Sequence, residues 1–207
     1  MIFSRIKLNP SKRETLKLLS SPLYVHGALE RSFPGKRDRK LWRIDQLHGE
    51  WYLLVLSKDA GDFRQLCATY GFSESDSVVS KDYSRILEQP ENGTRYHFRL
   101  KANPITNAKK EGERGRIHAH VTRDQQKKWL VDRSNKLGFS LKSEDFEVVN
   151  SEWVRFRKKS GHQVTYKVAI FEGILTVDDV EGFRKTLING VGRQKAYGCG
   201  FLTIAKG

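Results

Sequence analysis

His26 is the side chain in this sequence best suited to proton transfer near neutrality, because an unperturbed imidazole titrates at about 6.5. It stands next to Val25 in the run Ser21-Pro22-Leu23-Tyr24-Val25-His26. On a helix one position is a step of ~100°, so His26 sits at the edge of the apolar face that Val25 belongs to, within reach of a groove. Arg31 lies five residues on, and Lys36, Arg37, Arg39 and Lys40 follow closely. Fixed positive charge therefore follows the titratable ring along the chain. A lone histidine at a helix edge is more often structural, and the local pattern leaves both readings open.

Two further segments match phosphate recognition. In Gly190-Val191-Gly192-Arg193-Gln194-Lys195-Ala196-Tyr197-Gly198-Cys199-Gly200, four glycines let the backbone turn tightly, and Arg193 and Lys195 add charge. No Gly-Lys-Ser/Thr closes it and it follows a helix instead of preceding one, so it is not a nucleotide-binding P-loop. It reads either as a phosphate cradle or as a plain turn into the last strand. Val154-Arg155-Phe156-Arg157-Lys158-Lys159 alternates apolar with basic residues before Ser160-Gly161. That is a two-stranded ribbon with a cationic face, able to track phosphates, or else an ordinary solvated hairpin whose charges resist aggregation. His118 and His120 would share one face of a strand, yet no nearby Cys, Asp or Glu completes a metal ligand set. His120-Val121-Thr122 is half of a 2H phosphoesterase signature, and the second His-x-Thr is missing. No metal or other cofactor is expected.

These residues need elements to hold them. Ile2 to Leu8 alternates as a strand; Asn9-Pro10 looks like the N-cap and first position of a short helix through Leu19; Ser21-Pro22 starts another. In the second helix Val25, Ala28, Leu29 and Phe33 make one apolar face, and Pro34-Gly35 stops it. Leu41 to Ile44 and Trp51 to Leu56 form a hairpin through His48-Gly49, residues 61–70 a helix, and 77–87 contain a weaker strand. The order β-α-β-β-α-β is the ferredoxin-like pattern. Gln89-Pro90-Glu91-Asn92-Gly93 is the best boundary, and beyond it the pattern repeats with insertions. The later elements are a strand at 96–102, a basic loop at 105–115, a helix at 122–137, strands at 146–157 and 163–177, a helix capped by Asp178 or Asp179, and a last strand at 201–205. The expected fold class is α+β, a tandem of two ferredoxin-like domains over residues 1–90 and 94–207, with His26 in the first and both basic segments in the second.

Composition narrows the function classes. The 207 residues carry 38 Lys+Arg against 24 Asp+Glu, a net charge of +14, which points to a polyanionic partner without choosing among RNA, DNA and anionic lipid. The 38% hydrophobic and 11% aromatic content is too high for a chain unable to collapse. No apolar run approaches the ~20 residues of a bilayer span, and the start of the chain lacks a secretion pattern. The basic residues spread over strands and loops instead of one amphipathic helix, so no membrane partner is expected. Two cysteines make no disulfide framework, which fits a reducing cytoplasm.

Several of these segments together resemble the CasE family, the CRISPR repeat-processing endoribonucleases of the type I-E Cascade complex. The resemblance is carried by the first strand with Asn9-Pro10, the helix start from Ser21-Pro22 to His26, and the strand Phe98-Arg99-Leu100-Lys101-Ala102-Asn103-Pro104. Phe171-Glu172-Gly173-x-Leu175-x-Val177 and Gly190-x-Gly192-x-x-Lys195-Ala196-x-Gly198-x-Gly200 complete it, in the family's order from residue 1 to 205. The resemblance implies tandem ferredoxin-like domains that bind the repeat stem-loop RNA and cut at its 3′ base without a metal. The 2′-hydroxyl attacks the adjacent phosphorus, leaving a 2′,3′-cyclic phosphate and a 5′-hydroxyl, and the product is carried into Cascade with the other subunits. His26 matches the family's principal catalytic residue; general acid is the role favoured for it, with Arg31 as the offsetting charge.

The family often places a tyrosine three residues before this histidine, where Leu23 stands here; the tyrosine is Tyr24. Positions two apart on a helix diverge by ~160°, so Tyr24 serves as general base only if the chain is irregular after Pro22. Arg155, Arg157, Lys158 and Lys159 correspond to the family's groove-binding hairpin. Gly192, Arg193 and Lys195 correspond to its glycine-rich loop, with Arg193-Gln194 where the family commonly has Pro or small residues. Lys36, Arg37 and Arg39 complete the expected RNA-binding set. The rival from another class is a catalytically silent RNA-binding subunit on the same fold.

Overall fold

Alternation in β1 (Ile2–Leu8) turns Ser4, Ile6 and Leu8 inward and leaves Arg5 in solvent. The computed structural model describes residues 1–35, 38–72, 77–108, 116–158 and 160–206, with backbone alone at 107, 108 and 116. After β1 the Asn9 carboxamide accepts the Ser11 N–H at 3.0 Å, closing a turn. The first helix, α1 (Arg13–Ser20), therefore begins after Lys12 and not at Pro10. α2 (Pro22–Ser32) starts where the Ser-Pro pair places it, with the Ser21 hydroxyl accepting the Leu23 N–H at 3.3 Å. β2 (Leu41–Leu47) and β3 (Glu50–Ser57) pair through the His48-Gly49 turn. α3 (Arg64–Tyr70) starts later than the apolar pattern indicates, because the Asp62 carboxylate takes the Arg64 N–H at 3.1 Å. β4 (Val78–Asp82) is the strand expected within 77–87, and beyond it Asp82 accepts the Ser84 N–H ahead of α4 (Ser84–Glu88).

These strands form an antiparallel sheet in the order β2-β3-β1-β4. With helices in the two crossovers, that is the ferredoxin-like arrangement. Leu18 of α1, Val25, Ala28 and Leu29 of α2, and Leu66 of α3 pack with Ile6, Leu8, Trp42, Leu53 and Val55 of the sheet. Each fully buried Leu or Val contributes roughly 1.5–3 kcal/mol. The opposite side of β2 carries Arg43 and Asp45, both buried and joined in an ion pair at 2.6 Å.

The second half runs β5 (Arg95–Ala102), β6 (Ile105–Ala108), β7 (Arg116–Ala119), α5 (Arg123–Ser134), β8 (Phe139–Ser140), β9 (Phe146–Arg157), β10 (Gln163–Val177), α6 (Val180–Asn189) and β11 (Leu202–Ala205). Its sheet follows the order β11-β5-β10, with β9 and the short β8 on the far side of β10, so the same topology recurs with a longer hairpin. The start of the expected 105–115 loop is instead strand β6, antiparallel to β7 and anchored where the Trp129 indole N–H donates to the Ile105 carbonyl at 3.0 Å. Residues 109–115 lie outside the described residues. Thr122 and Gln125 cap α5 reciprocally, and Asp179 caps α6. Trp129, Phe139, Phe146, Phe171 and Phe183 fill this core.

By contacts, the chain divides into two compact units. The first is Met1–Glu88 with Lys195–Gly198; the second is Gln89–Gln194 with Cys199–Gly207. The four residues Lys195–Gly198, taken from the glycine-rich segment, therefore count with the unit that holds His26.

Candidate active site

His26 is held by its neighbours on α2. Val25, Ala28 and Leu29 are each no more than 3% exposed, which fixes the rotation of the helix and leaves His26 half-buried beside them. Tyr197 meets its imidazole edge-on, with ring centroids 5.9 Å apart and planes at 69°. Edge-to-face packing of this kind is a favoured aromatic geometry and restricts ring rotation.

Tyr197 belongs to a 3-10 turn, Lys195–Tyr197, that is fastened to β2. The Trp42 indole N–H donates to the Ala196 carbonyl at 3.2 Å. Gly198 follows at φ +80°, and a Cβ there would lie 2.7 Å from the Trp42 ring, so both backbone conformation and space demand glycine. The Cys199 N–H closes the neck of the excursion on the Gln194 carbonyl at 3.2 Å. Lys195 is half-buried; that burial, and then the Arg39 charge, hold its amine below the ordinary lysine range. The first unit thus joins an imidazole on a helix to a turn bearing a phenol and a partly desolvated amine, with Arg39 exposed and close enough to act on that amine. Such a set can move a proton and offset negative charge at one phosphate.

The other expected site residues are placed elsewhere. α2 is regular from Pro22, and Tyr24 is 42% exposed with the Lys17 ammonium 5.2 Å from its ring centroid. The structure does not bring Tyr24 to His26. Arg31 is exposed; its guanidinium reaches back to 3.8 Å from where a Gly27 Cβ would stand. With Ser32 of α2 and Asp62, Gln65 and Thr69 it lines a cavity of about 230 Å³ toward α3. Lys36, Arg37 and Lys159 lie outside the described residues. Sequence reasoning did not single out Tyr197, which sits inside the segment taken as a phosphate cradle. Nothing local distinguishes it, since its partner is on α2 at the other end of the chain.

In the second unit, Arg155, Arg157 and Lys158 are exposed at the end of the β9–β10 hairpin. The tip is tight, with the Lys158 N–H donating to the His162 carbonyl and the Gly161 N–H to the Lys158 carbonyl, both at 2.9 Å. Gly192 and Arg193 are exposed, and Gly192 abuts the Trp129 ring. Asn103, buried in the motif strand's extension, donates its amide to the Lys167 carbonyl at 2.6 Å, a structural duty at the base of the hairpin. His118 is exposed on β7, while burial and the Arg133 charge lower the pKa of His120. Among the described residues no three His, Cys, Asp or Glu side chains cluster as a metal site. Cys199 is wholly buried, which pushes its thiol up to about 12 and makes it a poor nucleophile. Among the described residues no helix is long and apolar enough to cross a membrane.

Comparison with known proteins finds matches over the whole chain. Residues 1–206 match a family model described as CRISPR associated protein. The CRISPR-associated endoribonuclease Cse3 of Thermus thermophilus is 29% identical over an alignment of 229 residues, covering 99% of this chain and 100% of that relative. The Cascade subunit CasE of Escherichia coli (strain K12) is 31% identical over 121 residues, which is 55% of this chain and 59% of that protein. The solved structure of Thermus thermophilus Cse3 bound to an RNA representing a pre-cleavage complex superposes with a TM-score of 0.81 at 26% identity, covering 99% of this chain and 98% of that one. Topology and sequence agree: this chain belongs to the CRISPR-associated protein family that includes Cse3 and CasE.

Proposed function

We propose that this protein is an endoribonuclease that binds the stem-loop of a CRISPR repeat RNA and cuts precursor CRISPR RNA at the 3′ base of the stem without a metal ion. The observation that carries the reading is His26, buttressed by Tyr197, in a chain that matches an endoribonuclease relative from end to end. The 2′-oxygen forms a bond to the adjacent phosphorus while the bond from phosphorus to the 5′-oxygen breaks. The 2′-hydroxyl proton leaves to a base, and His26 as imidazolium gives its proton to the departing 5′-oxygen. The products are a 2′,3′-cyclic phosphate and a 5′-hydroxyl. Because the nucleophile belongs to the substrate, the protein need only align it, move protons and offset charge. Lys195 and Arg39 on the first unit supply that charge, and the basic hairpin of the second unit supplies affinity for the stem. The cut RNA is then retained with the other Cascade subunits in the cytoplasm, in keeping with the relative named as a Cascade subunit.

The test is to incubate the protein with candidate repeat hairpins in EDTA and to map the product ends. Cyclic-phosphate and 5′-hydroxyl ends at one position are expected. His26→Ala is expected to slow cleavage by roughly 10²–10⁴-fold, the usual worth of a positioned general acid or base, with binding unchanged. Near-normal cleavage by that variant removes His26 from the mechanism, and tight binding without any cleavage by the parent protein makes it a scaffold instead.

A further inference from the structure

The β9–β10 ribbon has two unlike faces. Directly opposed residues of an antiparallel pair share a face, as do residues two apart along a strand. The register pairs Arg157 with Gln163, Arg155 with Thr165 and Trp153 with Lys167, so these six residues form one surface. The other side carries Phe156 and Tyr166, which are buried and meet edge to face. On the first surface Trp153 remains 46% exposed, although a buried aromatic position exists on the same strand. The Lys167 ammonium lies 5.5 Å from the Trp153 ring centroid, and Lys167 is itself largely buried. Arg155 and Arg157, at successive outward positions ~7 Å apart, form no ion pair among the described residues. None of the six residues is acidic.

An exposed indole at the start of a row of uncompensated guanidinium groups matches a single nucleic-acid strand, which presents a flat base beside each negative phosphate. The indole does not match the interior of a base-paired stem, whose bases are already stacked on both faces. We infer that Trp153 is a nucleobase-stacking subsite: an unpaired nucleotide flanking the stem of the repeat RNA stacks on the indole while the phosphates that join it to the stem run along Arg155 and Arg157. The inference rests on the endoribonuclease reading for the identity of the strand as RNA. It adds a contact that discriminates unpaired from paired nucleotides, which the basic hairpin tip alone does not.

Stacking and phosphate contacts separate in a salt series, because only the latter release counterions. The experiment measures affinity of the full chain for a repeat hairpin with single-stranded flanks, made uncleavable by 2′-deoxyribose at the mapped cut site, and for a blunt duplex of the stem sequence. Trp153→Ala is expected to weaken hairpin binding by roughly 10–100-fold at every salt concentration. The salt slope stays that of the parent, duplex binding stays within about twofold, and Trp153→Phe recovers much of the loss. The double change Arg155→Gln with Arg157→Gln instead flattens the slope. A Trp153→Ala protein that binds the hairpin as the parent does, or that loses hairpin and duplex binding equally, overturns the subsite. If Trp153→Ala does not fold, hairpin-induced quenching of tryptophan fluorescence in the parent that persists undiminished in Trp153→Phe overturns it equally. A parent protein that neither binds nor cuts the cleavable hairpin overturns the endoribonuclease reading and this subsite together. With a parent that does both, a failure of the Trp153 variants overturns the subsite alone.

Discussion

An imidazole is useful in general acid catalysis only while one nitrogen is aimed at the leaving oxygen, and a half-buried histidine on a helix edge has more than one rotamer available. The edge-on ring of Tyr197 removes part of that freedom. In the proposed mechanism Tyr197 is a positioning residue for His26, acting through its ring. Tyr197→Leu is expected to lower kcat about tenfold or more while KM changes less than twofold, and to move the alkaline limb of the pH–rate profile, on which a general acid loses its proton. Tyr197→Phe, which keeps the ring, is expected to restore both. A Phe variant as impaired as the Leu variant would transfer the role to the phenol oxygen. Tyr24, exposed against Lys17, is expected to tolerate Phe with full activity in the same assay. The helical angle between positions 24 and 26 was already legible in the sequence. The approach of Tyr197 was not, because no local spacing links it to α2.

At the scale of elements, two devices decide whether the site exists. α2 is set by short-range chemistry: a Ser-Pro start and an apolar stripe at Val25, Ala28 and Leu29 that leaves one rotation possible. The turn Lys195–Gly198 is set by β2, through the Trp42 hydrogen bond and the lack of room for a side chain at Gly198. Gly198→Ala forces a Cβ into the indole at a left-handed φ, a strain of about 1–3 kcal/mol. The expected outcome is a lower Tm, by about 2–4 °C per kcal/mol for a chain of this size, with a larger proportional loss of cleavage than of stability. Calorimetry beside the cleavage assay checks it, and unchanged cleavage would separate the turn from catalysis. The glycines of this segment were legible as backbone freedom. The reason for the one at 198 is a tryptophan ring on a distant strand, which no reading of the segment supplies. The late starts of α1 and α3 share a cause: Asn9 and Asp62 each bind a backbone N–H two residues on, which delays the helix that follows.

For the whole molecule, the +14 charge becomes an affinity term. Each phosphate neutralised by a Lys or Arg contributes about 0.7–0.9 to the slope of log affinity against log salt. Neutralising Arg157 and Lys158 together, both exposed at the hairpin end, is expected to reduce that slope by about 1–2 and to weaken stem-loop binding most at low salt, with little change in Tm. Titration of the double Gln variant across a salt series checks it. An unchanged slope would remove the hairpin end from the phosphate path.

The sequence by itself determined the class of elements, their order and the polyanionic character of the partner, because helix caps, strand alternation and net charge are properties of neighbouring residues or of the sum. It also marked His26 and the basic hairpin, whose meaning lies in residues close together along the chain. Only the tertiary structure decided what stands against His26: Tyr197 and not Tyr24. It also assigned part of the glycine-rich segment to the first unit and showed that Trp153 is left in solvent among cations. The physical reason is common to all three. Each depends on packing between segments far apart in sequence or on which face of a ribbon is covered, and residue types and spacing do not encode those contacts one segment at a time.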